Sequence, residues 1–365
     1  MYHKIKNKLA STILNCQKEL VRFNTGMNSR KEINDIVHTY NPPKLNYSEI
    51  KSAKQYYKSK GLKLKNTNWH RYIKSRNGKF HNDYIPDDIF RSIIDPKLNQ
   101  KKQWPALLDK NLTYTLFSGF NQPKHIVQNI NGFFYINGKL ENVEMAIAVC
   151  LEKKSFLIKP TIDTGKGRMV KVYNINSKDK DVESLKLSKL FKAYKKDFIL
   201  QEVVEQSDVL KILNSSSLNT LRIMSYMNDN GVHIISAVLR IGSPDSEVDN
   251  YSAGGIVCGV NENGQLKSNG YSSNGEVFSQ TPSGITLGDY QLPNYHKVLN
   301  MIKDMHPIVP YFKIVSWDIG IDKNDEPIFI EYNTYNQSIY FHQIVNGPLL
   351  GEFTDEILEL ALKRA

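Results

Sequence analysis

Apolar and polar positions change rhythm along the chain. Over residues 1–80 the apolar residues recur at three- and four-residue spacing in runs such as IKNKLASTILNCQKELVRF and SEIKSAKQYYKSKG, broken at NPPK and SRNG. That spacing predicts small amphipathic helices. From YIPDDIF onward the texture is mixed. LLDKNLTYTLFSGF reads as helix, HIVQNI, GFFYING, SFLIKP and MVKVY as strands, ESLKLSKLFKAYKK as helix and FILQEVV as a strand. SDVLKILN is then a helix, LNTLRIMSYM and VHIISAVLRIG are strands joined at NDNG, and after YSAGGIVCGV the chain loosens over residues 267–290. PNYHKVLNMIKDM predicts a helix, SWDIGIDKNDEPIFIEYN a hairpin and LLGEFTDEILELALKR a closing helix. Helices interspersed with many hairpins argue α/β (α+β) with antiparallel sheets, not a doubly wound parallel sheet.

The hairpin separates two kinds of side chain. A turn centred on Asn324 and Asp325 pairs residues whose numbers sum to 649. Alternation then puts Trp317, Ile319, Ile321, Ile328, Ile330 and Tyr332 on one face, and Ser316, Asp318, Gly320, Phe329, Glu331 and Asn333 on the other. In that register Asp318 faces Glu331, with the carboxylates roughly 5 Å apart, an unfavourable arrangement unless something neutralises it. Asp318, Glu331 and Asn333 offer oxygen ligands suited to a hard cation such as Mg²⁺. The alternative is the solvated face of a surface hairpin.

Other stretches carry chemistry of the same kind. Lys159 ends the strand SFLIK and is followed by the loop containing Gly165, Lys166 and Gly167. Glycines let backbone N–H groups approach a phosphate, and a strand-end lysine adds a point charge. The same residues also suit a plain turn. Gln201, Glu202, Val203 and Val204 close an apolar strand and could offer backbone groups to adenine, with Glu205 or Asp208 reaching a ribose; Asp208, beside Ser207 and before VLKIL, better suits a helix N-cap. Thr220, Arg222 and Met224 share one strand face, where an arginine needs an anionic partner or a route to solvent. Asn250, Ser252, Gly254 and Gly255 lie in a segment whose paired glycines suit an anion-binding nest.

At 365 residues two or three subdomains are expected. No apolar run approaches a membrane span, and the N-terminal stretch lacks the apolar core of a secretory signal. Three widely spaced cysteines suit a reducing cytosol, and the nine histidines show no zinc-ligand spacing. The net charge of +11 is lopsided: residues 1–110 hold 23 Lys and Arg against 9 Asp and Glu, the rest 25 against 28. Either the basic front is a set of solvated helix faces, or it meets something anionic, such as an anionic membrane surface or a lipid-linked sugar phosphate. No nucleic-acid-binding motif accompanies it.

Lysine strand, glycine loop, hinge, arginine strand and Asp…Glu-x-Asn follow one another in the order found in ATP-grasp enzymes. SLNTLRIMSY, LRIG…VDNYSAGGIVCGV and IVSWDIGI…PIFIEYN resemble the sugar-transfer-associated ATP-grasp family, over roughly residues 100–350. The resemblance implies a nucleotide held between two α+β subdomains: a basic helical region over 1–83, an α/β subdomain over 84–150, a lid over 151–204 and a Mg²⁺ and substrate subdomain over 205–365. It implies that Lys110 and Lys159 contact ATP, that residues 164–168 close over the phosphates, and that residues 201–204 form the adenine hinge. Arg222 would face the transferred phosphoryl group with Arg240 as helper, and Asp318, Glu331 and Asn333 would hold Mg²⁺. Where many ATP-grasp enzymes carry a Pro-Gly substrate loop, this chain has Thr334, Tyr335, Asn336 and Gln337, so acceptor recognition does not carry over. The implied activity is a cytoplasmic ligase, peripheral at the inner membrane face if the basic front binds lipid. It would join an amine such as an amino acid to a sugar carboxylate through an acyl phosphate, in capsule or O-antigen synthesis. A phosphotransferase and a nucleotide-binding scaffold are the alternatives. On this reading Asp318→Asn and Glu331→Gln abolish Mg-dependent ATP turnover at little cost in stability.

Overall fold

The computed structural model describes the chain apart from residues 1, 101–102, 163–166, 178, 244–250, 252–253, 336 and 364–365, and apart from the side chains of residues 2–11, 14, 15 and 104. The chain forms two compact units: Met1–Lys101 with Tyr311–Ile314 and Thr334–Ala365, and Lys102–Pro310 with Val315–Asn333.

The first unit is helical. Its first helix runs unbroken over Tyr2–Tyr40, where the pattern suggested shorter pieces, and ends before Pro42 and Pro43, which cannot continue it. The helix Tyr47–Ser59 starts at a capping box, in which the Asn46 side chain accepts from Glu49 N and the Glu49 carboxylate from Asn46 N. Asn68–Asn77 ends at Gly78, whose φ of +74° is the left-handed conformation that glycine adopts without penalty. Ile33, Tyr57, Trp69, Ile73, Phe90 and Ile94 form the buried interior. The C-terminal helices Tyr340–Asn346 and Thr354–Leu362 belong here too; Gln343 bridges the backbone N and O of Ile85 at 2.8 Å each. Residues 334–365 thus group with the N-terminal helices and not with residues 205–333, because their apolar faces are buried among those helices.

The second unit holds two sheets. Strands β1 (His125–Ile130), β2 (Phe133–Ile136), β3 (Lys139–Glu141), β4 (Ser155–Pro160), β5 (Lys171–Asn174) and β6 (Phe198–Gln201) form an antiparallel sheet of order β3-β2-β1-β6-β4-β5. The helices Val143–Leu151 and Lys180–Tyr194 pack Ile147, Cys150, Leu187 and Phe191 against Phe156 and Phe198. The expected boundary at residue 150 therefore falls inside a single sheet and core, since β6 pairs with both β1 and β4. The apolar run of Val143–Leu151 escaped the periodicity reading because it is too uniformly apolar to show a face.

The second sheet contains β7 (Thr220–Asn228), β8 (Gly231–Ile241), β9 (Ile256–Val260), β10 (Leu266–Ser272), β11 (Val277–Phe278), β12 (Ile314–Ile321) and β13 (Pro327–Asn333), in the order β11-β10-β9-β8-β7-β12-β13. The segment expected to be loose supplies β10 and β11. Its polar sequence hid β10, whose partner β9 is fully buried, and β11, which pairs with β10. This is the expected α+β class, antiparallel sheets with a helical N-terminal region. No helix among the described residues is long and apolar enough to cross a membrane.

His70, fully buried in the first unit, has Nε2 3.3 Å from the carbonyl oxygen of Asn82. Burial holds its imidazole down to about 4, from an ordinary value of 6.5. Between those values the unfolded chain binds a proton that the folded chain does not. His70 therefore contributes stability that is fully present above pH 6.5 and lost as pH falls towards 4, by up to about 3 kcal/mol. Urea unfolding at pH 7.5 and 4.5 should show a smaller acid loss for His70→Phe than for the natural chain; equal losses would assign the acid sensitivity to other groups.

Candidate nucleotide and metal site

The hairpin pairs Ser316 with Asn333, Trp317 with Tyr332 and Asp318 with Glu331, the register expected from its turn. Past Asp318 the register slips by one, so that Ile319 faces Phe329, Gly320 faces Ile328 and Ile321 faces Pro327. This bulge at Ile330 corrects the expected faces, because an extra residue in one strand reverses the alternation beyond it. Phe329 moves to the aromatic side and Ile328 opposite Gly320, where an added Cβ would come within 3.0 Å of Ile328 Cγ2. Ile330 turns onto the cavity described below.

On the buried face the Trp317 ring lies 5.5 Å from Tyr332 and 6.0 Å from Phe117, and Phe117 lies 5.0 Å from Phe329. Trp317 Nε1 donates to Ser225 Oγ at 2.7 Å, which in turn lies 2.8 Å from His306 Nδ1. A one-residue slip at Trp317 would carry this aromatic set to the polar side and break its hydrogen bonds, so the core holds the carboxylates in place.

On the polar face, Asp318 is buried and its two oxygens accept from Arg222 Nε and from Arg222 Nη2, the latter at 2.7 Å. Arg240 Nη2 lies 3.2 Å from Asp318 Oδ2 and also donates to Thr220 Oγ1 at 2.6 Å, across the β7–β8 pair. Lys110, first residue of the helix Lys110–Leu116, puts Nζ 3.5 Å from Glu331 Oε2. The repulsion between Asp318 and Glu331 is thus relieved by side chains of the protein. That neutralisation does not by itself call for a metal.

Lys159 sits buried on β4. Burial, then repulsion from Lys110, draw its ammonium down to about 8, against the attraction of Glu331 and Asp318. For Glu331, burial works to raise the carboxyl, but Lys110, Lys159, Arg222 and Arg240 together outweigh it and hold the group well below the usual carboxylate range. Four cations therefore surround two carboxylates, an arrangement that favours a further anion.

The residues fit a Mg²⁺ ion on these terms. Two carboxylates and the Oδ1 of Asn333 are hard oxygen donors, while the buried Asn333 Nδ2, a donor with no hydrogen-bond partner, calls for an acceptor such as a phosphate oxygen beside them. Among the described residues no three His, Cys, Asp or Glu side chains gather as a metal group, so the candidate set depends on Asn333. Both oxygens of Asp318 are engaged by arginines. A metal there requires an anion that draws the guanidinium groups away, and a nucleotide phosphate is such an anion.

Beside these residues lies a cavity of about 410 Å³, walled by Leu157, Val172 and Ile330, with Lys159 and residues 201–206 along it. Gln201 is buried and pairs with Leu157 and His125 across the sheet. Glu202 N donates to Lys124 O at 2.9 Å, and its carboxylate meets Lys153 at 3.0 Å. Val204 and Asp208 line the cavity. Asp208 opens the helix Asp208–Lys211, whose cap is Ser207, with Oγ accepting from Val209 N at 3.2 Å. The cap alternative for Asp208 passes to its neighbour, and Asp208 is left exposed on the cavity.

Gly167, at φ +68°, accepts from Val170 N at 3.2 Å in a turn; Gly165 and Lys166 lie outside the described residues. Gly254, at φ +89°, and Gly255 lead into β9, while Asn250 and Ser252 also lie outside the described residues. Sequence reasoning missed Ile330, which only the bulge exposes. It also missed Gln206, which lines the cavity and ties Asn219 to the carbonyls of Asn214 and Ser217. A third omission is His125, stacked at 3.6 Å on Tyr114, whose imidazole burial and Lys159 push down to about 3.

The chain belongs to the sugar-transfer associated ATP-grasp family, which it matches over residues 90–358. A comparison with curated proteins found no match. Among solved structures it is similar to an L-amino acid ligase from Bacillus licheniformis, with 12% identity over 70% of this chain and 48% of that one, at a TM-score of 0.41. It is also similar to D-alanyl-alanine synthetase A from Vibrio cholerae O1 biovar eltor, with 10% identity over 70% and 65% of the two chains, at a TM-score of 0.41. A third is the ATP-grasp ligase PsnB complexed with minimal precursor, Mg and ADP, with 11% identity over 73% and 62% of the chains, at a TM-score of 0.40. The chain spans between about half and two thirds of the length of these structures.

The buried pairing changes the stability expected of the carboxylate variants. Asp318→Asn weakens both guanidinium contacts inside the protein and should cost about 2 kcal/mol in urea unfolding, below the about 3 to 5 kcal/mol of a fully buried broken pair because Arg222 and Arg240 keep some exposure. Glu331→Gln loses one longer contact near solvent and should cost under about 1 kcal/mol. Equal losses in the two variants would contradict this ranking.

Proposed function

We propose that the chain is an ATP-dependent carboxylate–amine ligase acting through an acyl phosphate. The observation that carries this reading is the surplus of Lys110, Lys159, Arg222 and Arg240 over Asp318 and Glu331, beside a cavity with apolar walls and a polar strand end. The cavity would take the nucleotide base, with Gln201, Glu202 and Val204 at its edge and Asp208 towards the ribose. Lys110 and Lys159 would hold phosphate oxygens, and Arg222 with Arg240 would stabilise charge on the transferred phosphoryl group. Mg²⁺ held by Asp318, Glu331 and Asn333 would neutralise phosphate charge and make the phosphorus more open to attack.

In the reaction, a substrate carboxylate oxygen forms a bond to the γ-phosphorus as the bond to the bridging oxygen breaks, and ADP leaves. An amine nitrogen then attacks the acyl carbon, phosphate departs with the C–O bond electrons and the nitrogen loses a proton. No side-chain nucleophile is required. The sugar-transfer association in the family description supports a sugar-bearing acceptor; on this reading its carboxylate is the group activated and surface-polysaccharide synthesis is its setting. An amino acid suits the amine, and contact of the basic N-terminal region with an anionic membrane surface or a lipid-linked sugar would bring such an acceptor within reach.

Phosphate release, measured while amino acids are crossed with nucleotide-linked uronic acids, tests this directly. Release that needs both substrates is expected. Release with an acceptor alone would favour phosphoryl transfer, and ATP binding without release under any pair would favour a scaffold. Lys159→Met keeps the stem and removes the charge, so ATP affinity by calorimetry should fall by about 1 to 3 kcal/mol. Unchanged affinity would remove Lys159 from the phosphate site.

A further inference from the structure

The Tyr2–Tyr40 helix is held to its unit from Gly26 onward. Gly26, Ser29 and Ile33 are buried, Arg30 pairs with Asp88 at 3.2 Å, and Glu32 pairs with Arg91 at 3.1 Å. At Gly26 an added Cβ would stand 3.3 Å from Ser92 Oγ, so the missing side chain permits the close approach. Upstream, every residue from Thr12 to Phe23 whose side chain is described is exposed, except Arg22. In that stretch Ile13, Cys16, Leu20, Phe23 and Met27 follow one another at spacings of three and four. Ile13, Leu20, Phe23 and Met27 are 52%, 59%, 60% and 46% exposed.

This is the a and d series of a heptad repeat, and its 3.5-residue period keeps one narrow stripe facing a second helix through a left-handed supercoil. The flanking e and g positions hold Thr12, Gln17, Glu19, Asn24 and Gly26, of which only Glu19 is charged, and it is paired with Arg22 at 2.5 Å. Lys18 and Arg22 fall at outer positions. Two copies can therefore meet along this seam with no like charges opposed. An anionic lipid surface, by contrast, would call for a polar face rich in Lys and Arg, and residues 12–27 hold only Lys18 and Arg22, the latter paired with Glu19.

We propose that the chain self-associates through this seam as a parallel two-stranded coiled coil. Both directions can pair the exposed stretch Thr12–Phe23 with its copy, but an antiparallel one with Ile13 opposite Phe23 would also set residues 2–10 against 26–34, the part packed on its own unit, and the parallel one does not. The parallel register places Cys16, exposed and at a d position, opposite its own copy within disulfide reach, while Cys150 and Cys258 are buried.

Sedimentation equilibrium of the full chain at about 50 μM under reducing conditions should show a dimer. Leu20→Glu combined with Phe23→Glu should return it to monomer while leaving ATP affinity unchanged. Mild copper–phenanthroline oxidation should yield a covalent dimer that Cys16→Ser abolishes. A monomeric natural chain, a dimer indifferent to the double substitution, or a dimer without the Cys16 cross-link would each overturn the proposal. So would a monomer that sediments with phosphatidylglycerol vesicles, which would give the stripe to lipid.

Discussion

Strand register forces two carboxylates, Asp318 and Glu331, to face one another on the polar side of a hairpin whose other side is locked into an aromatic core. Everything around them answers that constraint. Arg222 and Arg240 reach Asp318 from the neighbouring strands β7 and β8, and Lys110 reaches Glu331 from a helix start. Lys159, buried nearby on β4, adds a further charge and is drawn towards neutrality by its burial and then by Lys110. The site thereby stores a positive excess in a poorly solvated place, and a polyanion is the ligand that relieves it.

The same charge layout bears on how a metal would enter. With both Asp318 oxygens engaged by guanidinium groups, binding of a cation alone would compete with two arginines, whereas a cation arriving with phosphates gives those arginines a new partner. On the proposed reading, metal and nucleotide binding would be coupled in such a site because each would remove the charge that opposes the other.

The bulge at Ile330 shows how one residue alters a site without touching its charges. It leaves Asp318 opposite Glu331 but moves Phe329 into the core and turns Ile330 to the cavity wall. An apolar wall beside a cluster of charges suits a ligand with a flat apolar part and an anionic part. Nearby, Gln206 stitches the strand end to the β7 entrance through Asn219, so the cavity edge and the arginine strand are held by one hydrogen-bond network.

Much of this was legible along the chain because it depends on short-range periodicity. Strand alternation put Asp318 opposite Glu331 and placed Arg222 beside Thr220 on one face, and the order of lysine, glycine, arginine and carboxylate segments pointed to the family that residues 90–358 belong to. The helix Tyr2–Tyr40 was legible as helix over its first part but not to its full length, since the apolar run read there ends at Phe23 and the helix beyond it is packed on its own unit through Gly26, Ser29 and Ile33. Other features had no local signature. The bulge lies within one hairpin yet leaves the alternation of its sequence unchanged, while the union of β1 with β6 across 70 residues, the grouping of the C-terminal helices with the N-terminal ones and the pairing of Asp318 with Arg222 and Arg240 are contacts between segments distant in sequence. Alternation states which face a side chain takes. Which charge it meets there is decided by the strand that packs alongside, and that is a property of the tertiary structure alone.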